Sequence, residues 1–452
     1  MVVGDVTTAV DVLIIGAGPA GYVAAIRAAQ LGRHVTLVDA GSVGGVCLQR
    51  GCIPLKALLS ASERYQQTRQ DNLAEMGIAA EAVSFDWSRM QAWKQSVVER
   101  LVNGVQRLIA GNRIELLKGT AWFINSEEMR VEGEELSHRL KFEDCVLATG
   151  ASAAPLPNLP YDGQQVLTPE QALQLSELPA QLIIFGSDYI ALELATLFAR
   201  LGVQVRLYTP GDQILPDVDA APLRLVQAGL RKLGVQITTK IDIGALDERP
   251  LVVSNGARPN TAGLALAEAA IKVTEQGGIV VDSMQRSSVP HIYAVGDCTG
   301  SRALASIAIK QGKVAAEVLS GQRVQFAPLV VPQVVHTTPE LATVGLSAEA
   351  AEGAGYSIIT GRFPLAANGR ALTLGTDAGV ATIVANKDDG SVLGATVVGP
   401  RVGDLIGQMA LAIEMGATLT DLSEIIYAHP GLSEMLQESA DSALNQAIHI
   451  LR

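Results

Sequence analysis

The chain of 452 residues is 48% apolar, 18% charged and 4% aromatic, with 44 glycines that follow no collagen-like period. This composition excludes intrinsic disorder, is sufficient for two or three domains with buried cores, and favours an α/β architecture over a β-sandwich. The formal net charge of −12, with acidic residues along the whole chain, argues against nucleic acid and anionic membrane surfaces as partners.

The amino-terminal segment does not resemble a secretory signal, because it has no basic region and carries Asp5 and Asp11 before the first apolar run. The longest uncharged stretches, 12–26 and 146–161, are shorter than the roughly 18 apolar residues of a membrane span and are broken by glycine or proline. We therefore expect a cytoplasmic protein with no membrane partner.

Residues 11–39 read DVLIIGAGPAGYVAAIRAAQLGRHVTLVD: an apolar strand, a glycine turn, an alanine-rich helix and a second strand that ends in an acid. This pattern predicts a dinucleotide-binding βαβ unit. Gly16 makes the turn, Gly18 lets the backbone approach a pyrophosphate, and Gly21 lets the helix pack closely on the strand. Asp39 is expected to accept hydrogen bonds from ribose hydroxyls.

Two cysteines, Cys47 and Cys52, follow in the block GGVCLQRGCIPLKALL, which is predicted to open a helix. The positive end of a helix and the nearby Arg50 and Lys56 are expected to lower the thiol pKa values. This environment favours thiolate redox chemistry.

A structural zinc site is the first alternative for these cysteines, but it would need a second cluster, and Cys145 and Cys298 stand in isolated strand contexts. The sequence therefore predicts no metal site. Two inert buried cysteines are the second alternative.

A second unit of the same shape begins at Gln181 and reads QLIIFGSDYIALELATLFARLGVQVRLY, so the chain contains an internal duplication. In this second unit, the three glycine positions of the dinucleotide-binding turn are filled by Gly186, Asp188 and Ala191. Asp188 puts a carboxylate where the backbone should contact a pyrophosphate, and like charges repel.

Two further features weaken this second nucleotide site. Thr209 stands where a ribose-binding acid is expected. The segment 234–256 has room for two strands and a loop, whereas a three-stranded connection needs roughly 25 to 30 residues.

Two later apolar segments, 251–260 and 291–300, are predicted to be strands that end in glycine turns and complete the sheet of the first unit. From Phe326 onward the pattern changes to short alternating strands and amphipathic helices, which predicts a separate α+β domain. The predicted strands of this part are 378–385 and 391–398, and its predicted helices are 403–416 and 433–447.

A series of motifs occurs in a fixed order along the chain. They are the cysteine block, ATG at 148–150, GARPNT at 256–261, YAVGDCTG at 293–300, AANGRA at 366–371 and AHPGLSE at 428–434. With these motifs the sequence resembles, over essentially its full length, the pyridine nucleotide-disulphide oxidoreductases, and within them the dihydrolipoamide dehydrogenase type.

The resemblance implies an α/β fold of two Rossmann-like dinucleotide-binding units and a C-terminal α+β dimerisation domain. The implied domains are 1–150 for FAD, 151–262 for a truncated NAD-binding-like unit, 263–325 for a segment completing the FAD domain, and 326–452 for the interface domain. The implied FAD-binding residues are Gly16, Gly18, Gly21, Asp39, Lys56, Ala121, Thr149, Gly150 and Asp297. For NAD, the resemblance implies Gly186.

The resemblance also implies roles in disulfide chemistry. Cys47 would be the interchange thiol that meets the dithiol substrate, and Cys52 would lie against the isoalloxazine as the charge-transfer thiolate. Lys56 would lie near flavin N5 and pair with Glu193.

The family's general base would be His429, with Glu434 orienting its imidazole. The family uses these two residues across a two-fold interface, which implies a homodimer. The chemistry favours these residue types independently, because a dithiol attacks a disulfide only as a thiolate and needs a base near neutrality. The alternative for His429 is a histidine at a helix end before Pro430. The alternative for Glu434 is an ordinary acid in the first turn of a helix capped by Ser433.

We therefore expect a flavin-dependent oxidoreductase that oxidises dihydrolipoyl dithiols on a carrier protein through a Cys47–Cys52 disulfide to FAD and then NAD. A second hypothesis replaces NAD by a quinone, another protein or oxygen. A third is a redox-inert paralogue acting as a binding subunit, which retention of the cysteines, His429 and Glu434 disfavours.

Overall fold

The computed structural model describes residues 7–69, 72–134, 136–154, 156 and 159–451. The chain divides into two compact units that interleave along the sequence. Unit 1 consists of the described residues within Met1–Ala57, Gln91–Pro160 and Gly256–Ala327, and unit 2 of those within Leu58–Met90, Tyr161–Asn255 and Pro328–Arg452.

The helices are α1 Pro19–Gln30, α2 Gly45–Gln49, α3 Cys52–Gln67, α4 Asn72–Glu75, α5 Trp87–Gly111, α6 Pro169–Ala172, α7 Tyr189–Arg200, α8 Ala220–Lys232, α9 Ala305–Leu319, α10 Ala348–Gly353, α11 Gly369–Thr373, α12 Val402–Glu414, α13 Leu419–Glu424 and α14 Glu434–Ala443. The strands are β1 Thr7–Ile15, β2 Val35–Asp39, β3 Glu115–Lys118, β4 Thr120–Asn125, β5 Glu128–Glu132, β6 Ser137–Leu147, β7 Ala151–Ala153, β8 Val166–Leu167, β9 Gln181–Phe185, β10 Gln204–Tyr208, β11 Gln236–Thr238, β12 Leu251–Val253, β13 Ala257–Pro259, β14 Ile292–Ala294, β15 Gln333–Val335, β16 Glu340–Gly345, β17 Ile358–Pro364, β18 Val380–Asn386 and β19 Val392–Gly399. Short 3₁₀ turns occupy Ile243–Ala245, Gly296–Thr299 and Leu365–Ala367.

Unit 1 is built on a sheet with the order β3-β2-β1-β6-β5-β4, and β14 pairs with β6. The strands β1, β2, β3, β6 and β14 run parallel, which brings their carboxyl ends to one edge. The alanine-rich α1 lies against α9 at close range, because a Cβ on Gly312 would come within 2.3 Å of the Ala20 carbonyl oxygen. Small residues on both helices therefore allow α1 and α9 to pack closely in unit 1.

The late strands divide between the two units. The strand β14 completes the sheet of unit 1 as predicted, but the expectation that the strand at 251 does so is wrong, because β12 pairs with β9 and β8 in unit 2. Both segments are short apolar runs before a glycine turn, and such a pattern carries no information on the partner strand.

Unit 2 contains a five-stranded parallel sheet with the order β11-β10-β9-β12-β8. The helix α7 follows β9 and is buried from Ala191 to Arg200. Between 234 and 256 the chain forms only β11, a 3₁₀ turn and β12.

The C-terminal part of unit 2 is an antiparallel sheet with the order β15-β16-β19-β18-β17, on which α12 and α14 pack. The strands β18 and β19 and the helices α12 and α14 occur where alternation and amphipathic periodicity predict them, with α14 ending earlier than expected, at Ala443. In the part of the chain that the structure describes, no helix combines the length and the apolar character needed to cross a membrane.

Candidate active site

The glycine turn between β1 and α1 contains two glycines that the chain itself requires. A Cβ on Gly16 would come within 2.3 Å of the Ala148 carbonyl oxygen, and one on Gly21 within 1.7 Å of the Gly16 carbonyl oxygen. Gly18 is different, since its Cβ would meet only the Gly45 Cα, at 3.9 Å. The chain's own packing therefore leaves the space beside Gly18 open for a ligand.

The N-terminus of α1 has the character of an anion site. Gly18 is its N-cap residue, and no side chain among the described residues caps it. At the end of β2, the Asp39 carboxylate accepts hydrogen bonds from the Ala17 N–H at 2.5 Å and the Gly41 N–H at 2.7 Å. Free N–H groups at a helix N-terminus bind phosphate, so the residues of this turn fit the pyrophosphate of FAD.

The ATG turn lies at the end of β6, beside the glycine turn in the sheet order. The Thr149 hydroxyl donates to the Asn260 carbonyl oxygen at 2.8 Å, and the Asn260 side-chain amide donates to the Thr149 carbonyl oxygen at 3.1 Å. Gly150 has φ +70°, a conformation that favours glycine. No role is predicted for Asn260 from the sequence, although the motif GARPNT contains it.

Two predicted cofactor residues lie elsewhere in unit 1. Asp297 is half-buried in the 3₁₀ turn after β14, and this burial raises the pKa of its carboxyl. Ala121 lies on β4 with a buried side chain, so only its main chain could meet a ligand.

The cysteine block packs directly on the glycine turn. The Gly44 N–H donates to the Ala17 carbonyl oxygen at 2.8 Å, and a Cβ on Gly45 would come within 2.7 Å of the Gly18 Cα. Glycine at position 45 therefore allows α2, which carries Cys47, to lie against the nucleotide-type turn. This contact was not anticipated from sequence.

The structure brings Cys47 and Cys52 together. The Cys47 thiol lies within hydrogen-bond distance of Cys52, and this contact, with burial and the charge of Cys52, raises the pKa of Cys47 far above its ordinary value, while Lys56 acts to lower it. The expectation of a lowered pKa is thus wrong for Cys47. The physical reason is that adjacent thiols titrate as a pair, so once one is a thiolate the other holds its proton.

Glu193 lies in unit 2, on α7, and is fully buried. Its Oε1 accepts a hydrogen bond from the His336 main-chain N–H at 3.0 Å. Lys56 belongs to unit 1, and its pairing with Glu193 stays a prediction.

His429 and Glu434 form the predicted contact. The Nδ1 atom of His429 lies 2.8 Å from Oε1 of Glu434, the first residue of α14, and the Gly431 N–H donates to Oε2 at 2.7 Å. Partial burial acts to raise the pKa of Glu434, but these hydrogen bonds outweigh it, so the pKa lies below its ordinary value. An ionised carboxylate accepts from Nδ1–H, which leaves Nε2 of the imidazole, whose side chain is 80% exposed, free to take a proton.

A residue that the sequence analysis missed supports this loop. The buried Asn368 donates through its amide to the Gly431 carbonyl oxygen at 3.1 Å and accepts from the Ala371 N–H at 2.9 Å. The motif AANGRA was the available signal. Asn368 therefore positions the segment that carries His429.

The turn between β9 and α7 differs from the turn after β1. A Cβ on Gly186 would come within 2.4 Å of the Ser254 carbonyl oxygen, so glycine is required there. Asp188 caps α7, with Oδ1 accepting from the Ala191 N–H at 2.9 Å, and the Ser254 hydroxyl lies 2.9 and 2.8 Å from its two carboxylate oxygens. Burial raises the pKa of Asp188.

Thr209 follows β10, where the ribose-binding acid was expected. It is fully buried, and its hydroxyl donates to the Gly211 carbonyl oxygen at 2.9 Å. This side chain therefore presents no acceptor to a ribose.

The sequence model of the pyridine nucleotide-disulphide oxidoreductases matches residues 10–312, and that of their dimerisation domain matches residues 331–440. A dihydrolipoyl dehydrogenase of Geobacillus stearothermophilus is 40% identical over 471 aligned residues, and one of Haloferax volcanii is 39% identical over 477, each alignment covering 100% of both chains.

Two solved structures share the fold. LpdA from Mycobacterium tuberculosis has a TM-score of 0.88 at 26% identity, covering 95% of this chain and 99% of that one. The HOCl-induced flavoprotein disulfide reductase RclA from Escherichia coli has a TM-score of 0.86 at 27% identity, covering 96% and 99%. The chain therefore belongs to the pyridine nucleotide-disulphide oxidoreductases, as an FAD-dependent oxidoreductase that resembles the dihydrolipoyl dehydrogenases.

Proposed function

We propose that this protein oxidises dihydrolipoyl dithiols carried on another protein, and that Cys47 and Cys52 form the redox disulfide. The observation that carries the proposal is the contact of the two sulfurs, with Cys47 on a helix that packs against the open Gly18 turn. A disulfide pair beside a flavin-type turn is suited to passing two electrons from a dithiol to FAD.

The chemistry follows from the residues. His429 takes a proton at Nε2 from one substrate thiol, and the resulting thiolate attacks the Cys47 sulfur, so that the Cys47–Cys52 bond breaks and Cys52 leaves as a thiolate. The second substrate sulfur then attacks the substrate sulfur of the mixed disulfide, and its proton passes to the departing Cys47. The product leaves with its own disulfide, Cys47 is released as a thiol, Cys52 stays a thiolate, and His429 keeps the first proton. Two electrons and two protons have then passed from the substrate to the protein.

The bound FAD would supply a two-electron acceptor for the Cys47–Cys52 dithiol. Gly16, Gly18, Gly21 and Asp39 would hold it, with Thr149, Gly150, Lys56, Ala121 and Asp297 as further contacts. Glu434 keeps Nδ1–H of His429 as a donor, so that Nε2 remains the basic atom.

We further infer a cytoplasmic homodimer in which His429 of one subunit serves Cys47 of the other. The match of residues 331–440 to a dimerisation domain supports this arrangement. The exposed imidazole also supports this arrangement, because a base that acts at the site of another subunit must be accessible on the surface of its own.

The final acceptor in the first hypothesis is NAD, bound through Gly186. Asp188 and Thr209 favour the second hypothesis, in which another acceptor receives the electrons. An inert binding subunit is disfavoured, because such a subunit has no physical need for the His429–Glu434 contact or for paired thiols.

Anaerobic addition of dihydrolipoamide to the FAD-loaded protein tests the proposal. We expect loss of the oxidised flavin spectrum and a long-wavelength band from the Cys52 thiolate against the flavin. The double variant Cys47→Ser with Cys52→Ser should show neither. Persistence of the band in that variant, or no response of the unaltered protein to dithiol, would contradict the proposal.

A further inference from the structure

The two glycine turns of the chain make corresponding contacts. The Gly16 N–H donates to the Val38 carbonyl oxygen at 2.7 Å, and the Gly186 N–H donates to the Tyr208 carbonyl oxygen at 2.9 Å. In each turn, the glycine N–H therefore donates an equivalent hydrogen bond to the end of the next strand along the chain.

The neighbouring strand contributes an equivalent residue in each unit. A Cβ on Gly16 would approach the Ala148 carbonyl oxygen, and one on Gly186 the Ser254 carbonyl oxygen, at nearly equal distances of 2.3 and 2.4 Å. Ser254 is thus the counterpart of Ala148. Because Asp188 stands two residues after Gly186, it is the counterpart of Gly18.

Two equivalent positions therefore differ together: glycine and alanine in unit 1, aspartate and serine in unit 2. In unit 1 the pair leaves the helix N-terminus uncapped. In unit 2 the pair makes three contacts, since Asp188 accepts from the Ala191 N–H and its two oxygens both lie within 2.9 Å of the Ser254 hydroxyl.

The position of this carboxylate matters for nucleotide binding. A pyrophosphate binds at a βα turn because the first N–H groups of the helix are unsatisfied and carry partial positive charge. In α7 a resident carboxylate already uses the Ala191 N–H, and it brings a negative charge to the site. A dinucleotide would have to displace this group and also overcome its repulsion.

We propose that Asp188, held in place by Ser254, is a resident anion that takes the position of a dinucleotide pyrophosphate and excludes NAD(H) from unit 2. This inference rests on the proposed dithiol-to-flavin function and specifies it, since the flavin then passes its electrons to an acceptor other than a pyridine dinucleotide. Asp188 is on this proposal a specificity-determining residue.

The competing explanation is that Asp188 is only a helix cap. Aspartate is a common N-cap, and a cap by itself says nothing about ligands. The two explanations predict different effects of removing the carboxylate: a mere cap changes stability, whereas a resident anion also changes the affinity for a pyrophosphate.

Calorimetric titration of the FAD-loaded protein with ADP-ribose separates them, because this probe carries the pyrophosphate and cannot exchange electrons. We expect barely detectable binding to the unaltered protein and at least tenfold tighter binding to Asp188→Gly, which loses little capping energy relative to other N-cap residues. Asp188→Asn should gain less than Asp188→Gly, because its amide oxygen still occupies the Ala191 N–H. Asp188→Ser keeps a capping side chain and serves if the glycine variant is unstable.

The matched control is Asp389→Gly. Asp389 also accepts from one main-chain N–H and one serine hydroxyl, both of Ser391, at 2.9 and 2.7 Å, so this variant removes a similar pair of contacts and the same charge from an exposed part of unit 2. Its ADP-ribose affinity should stay at the unaltered value.

The proposal is overturned if the unaltered protein binds ADP-ribose within threefold of Asp188→Gly, if the glycine and serine variants both fail to gain affinity, or if Asp389→Gly gains as much. The titration requires no turnover. Its result is therefore independent of the dithiol experiment, whose failure would contradict the proposed function alone.

Discussion

After β1 the chain turns at Gly16 and enters α1 through Gly18, whereas after β9 it turns at Gly186 and enters α7 through Asp188. The main-chain bonds of the two turns are equivalent, and both glycines are required by contact with the neighbouring strand. The difference that matters for an anion is Asp188 in place of Gly18, together with Ser254 in place of Ala148 one strand away. On the proposal above, a duplicated fold keeps corresponding main-chain contacts while one copy offers an anion site and the other fills it, which is why function must be argued from the site.

The largest effect on cofactor content should come from giving unit 1 the aspartate that unit 2 carries. In Gly18→Asp the new carboxylate would occupy the open N-terminus of α1 and repel a pyrophosphate. We expect the purified protein to retain less than about a tenth of the normal FAD, since 1.4 kcal/mol already corresponds to tenfold in affinity. Absorbance at the flavin maximum relative to protein measures this.

The control for that variant is Gly104→Asp in α5, where nothing lies within 4 Å of an added Cβ and the charge change is the same. It should keep its FAD. Full flavin content in Gly18→Asp would show that the two turns are not comparable in the way described.

The proposed function assigns the role of general base to His429. Replacing His429 by glutamine should lower the rate of flavin reduction by dithiol about 10² to 10⁴ fold, the usual contribution of a positioned base. Stopped-flow absorbance after mixing with dihydrolipoamide measures this rate.

Complementation then tests whether the two groups come from different subunits. Co-expressed Cys47→Ser and His429→Gln chains should recover about a quarter of the normal activity, because random pairing gives mixed dimers in about half of the population and each regains one of two sites. A mixture that stays at the level of its inactive parents would count against a shared site.

A smaller change is expected when unit 2 is made to resemble unit 1. In Asp188→Gly the removal of like-charge repulsion, about 1 to 3 kcal/mol at an effective dielectric near 20, should raise the affinity for NADH roughly tenfold. Recovery should be incomplete, because Thr209 is buried and offers no acid to the ribose. Flavin reduction at increasing NADH concentrations measures the gain, and tight NADH binding with rapid turnover in the unaltered protein would identify an ordinary NAD-linked enzyme.

The smallest effect concerns pH. Burial raises the pKa of Asp188, with nearby Glu193 adding to the shift and the N–H groups of Ile190 and Ala191 and the Ser254 hydroxyl opposing it. Because a raised pKa means that the carboxylate takes up its proton at a higher pH than usual, ADP-ribose should bind the unaltered protein better as the pH is lowered across the acidic interval below neutrality. The affinity of Asp188→Gly should change less over that interval, and equal slopes for the two proteins would exclude Asp188 as the titrating group.

The sequence alone determined much of the fold and the site. Glycine spacing between an apolar strand and an alanine-rich helix indicated both βαβ units, and period-two alternation located β18 and β19. The order of short motifs indicated the family, and the five-residue step from His429 to Glu434 indicated a contact that the structure contains. These features are local, so the residues that create them are close together in the chain.

Only the tertiary structure decided where the distant partners meet. The Asp188 carboxylate is hydrogen-bonded to Ser254, sixty-six residues later, and the Asn368 amide to Gly431, sixty-three residues later. Glu193 accepts a hydrogen bond from the main-chain N–H of His336. The strand β12 joined unit 2 although its pattern equally suited unit 1. Local periodicity records which face of an element is buried, but the partner of a buried polar group depends on which strands and helices pack side by side, and that is settled only when the whole chain folds.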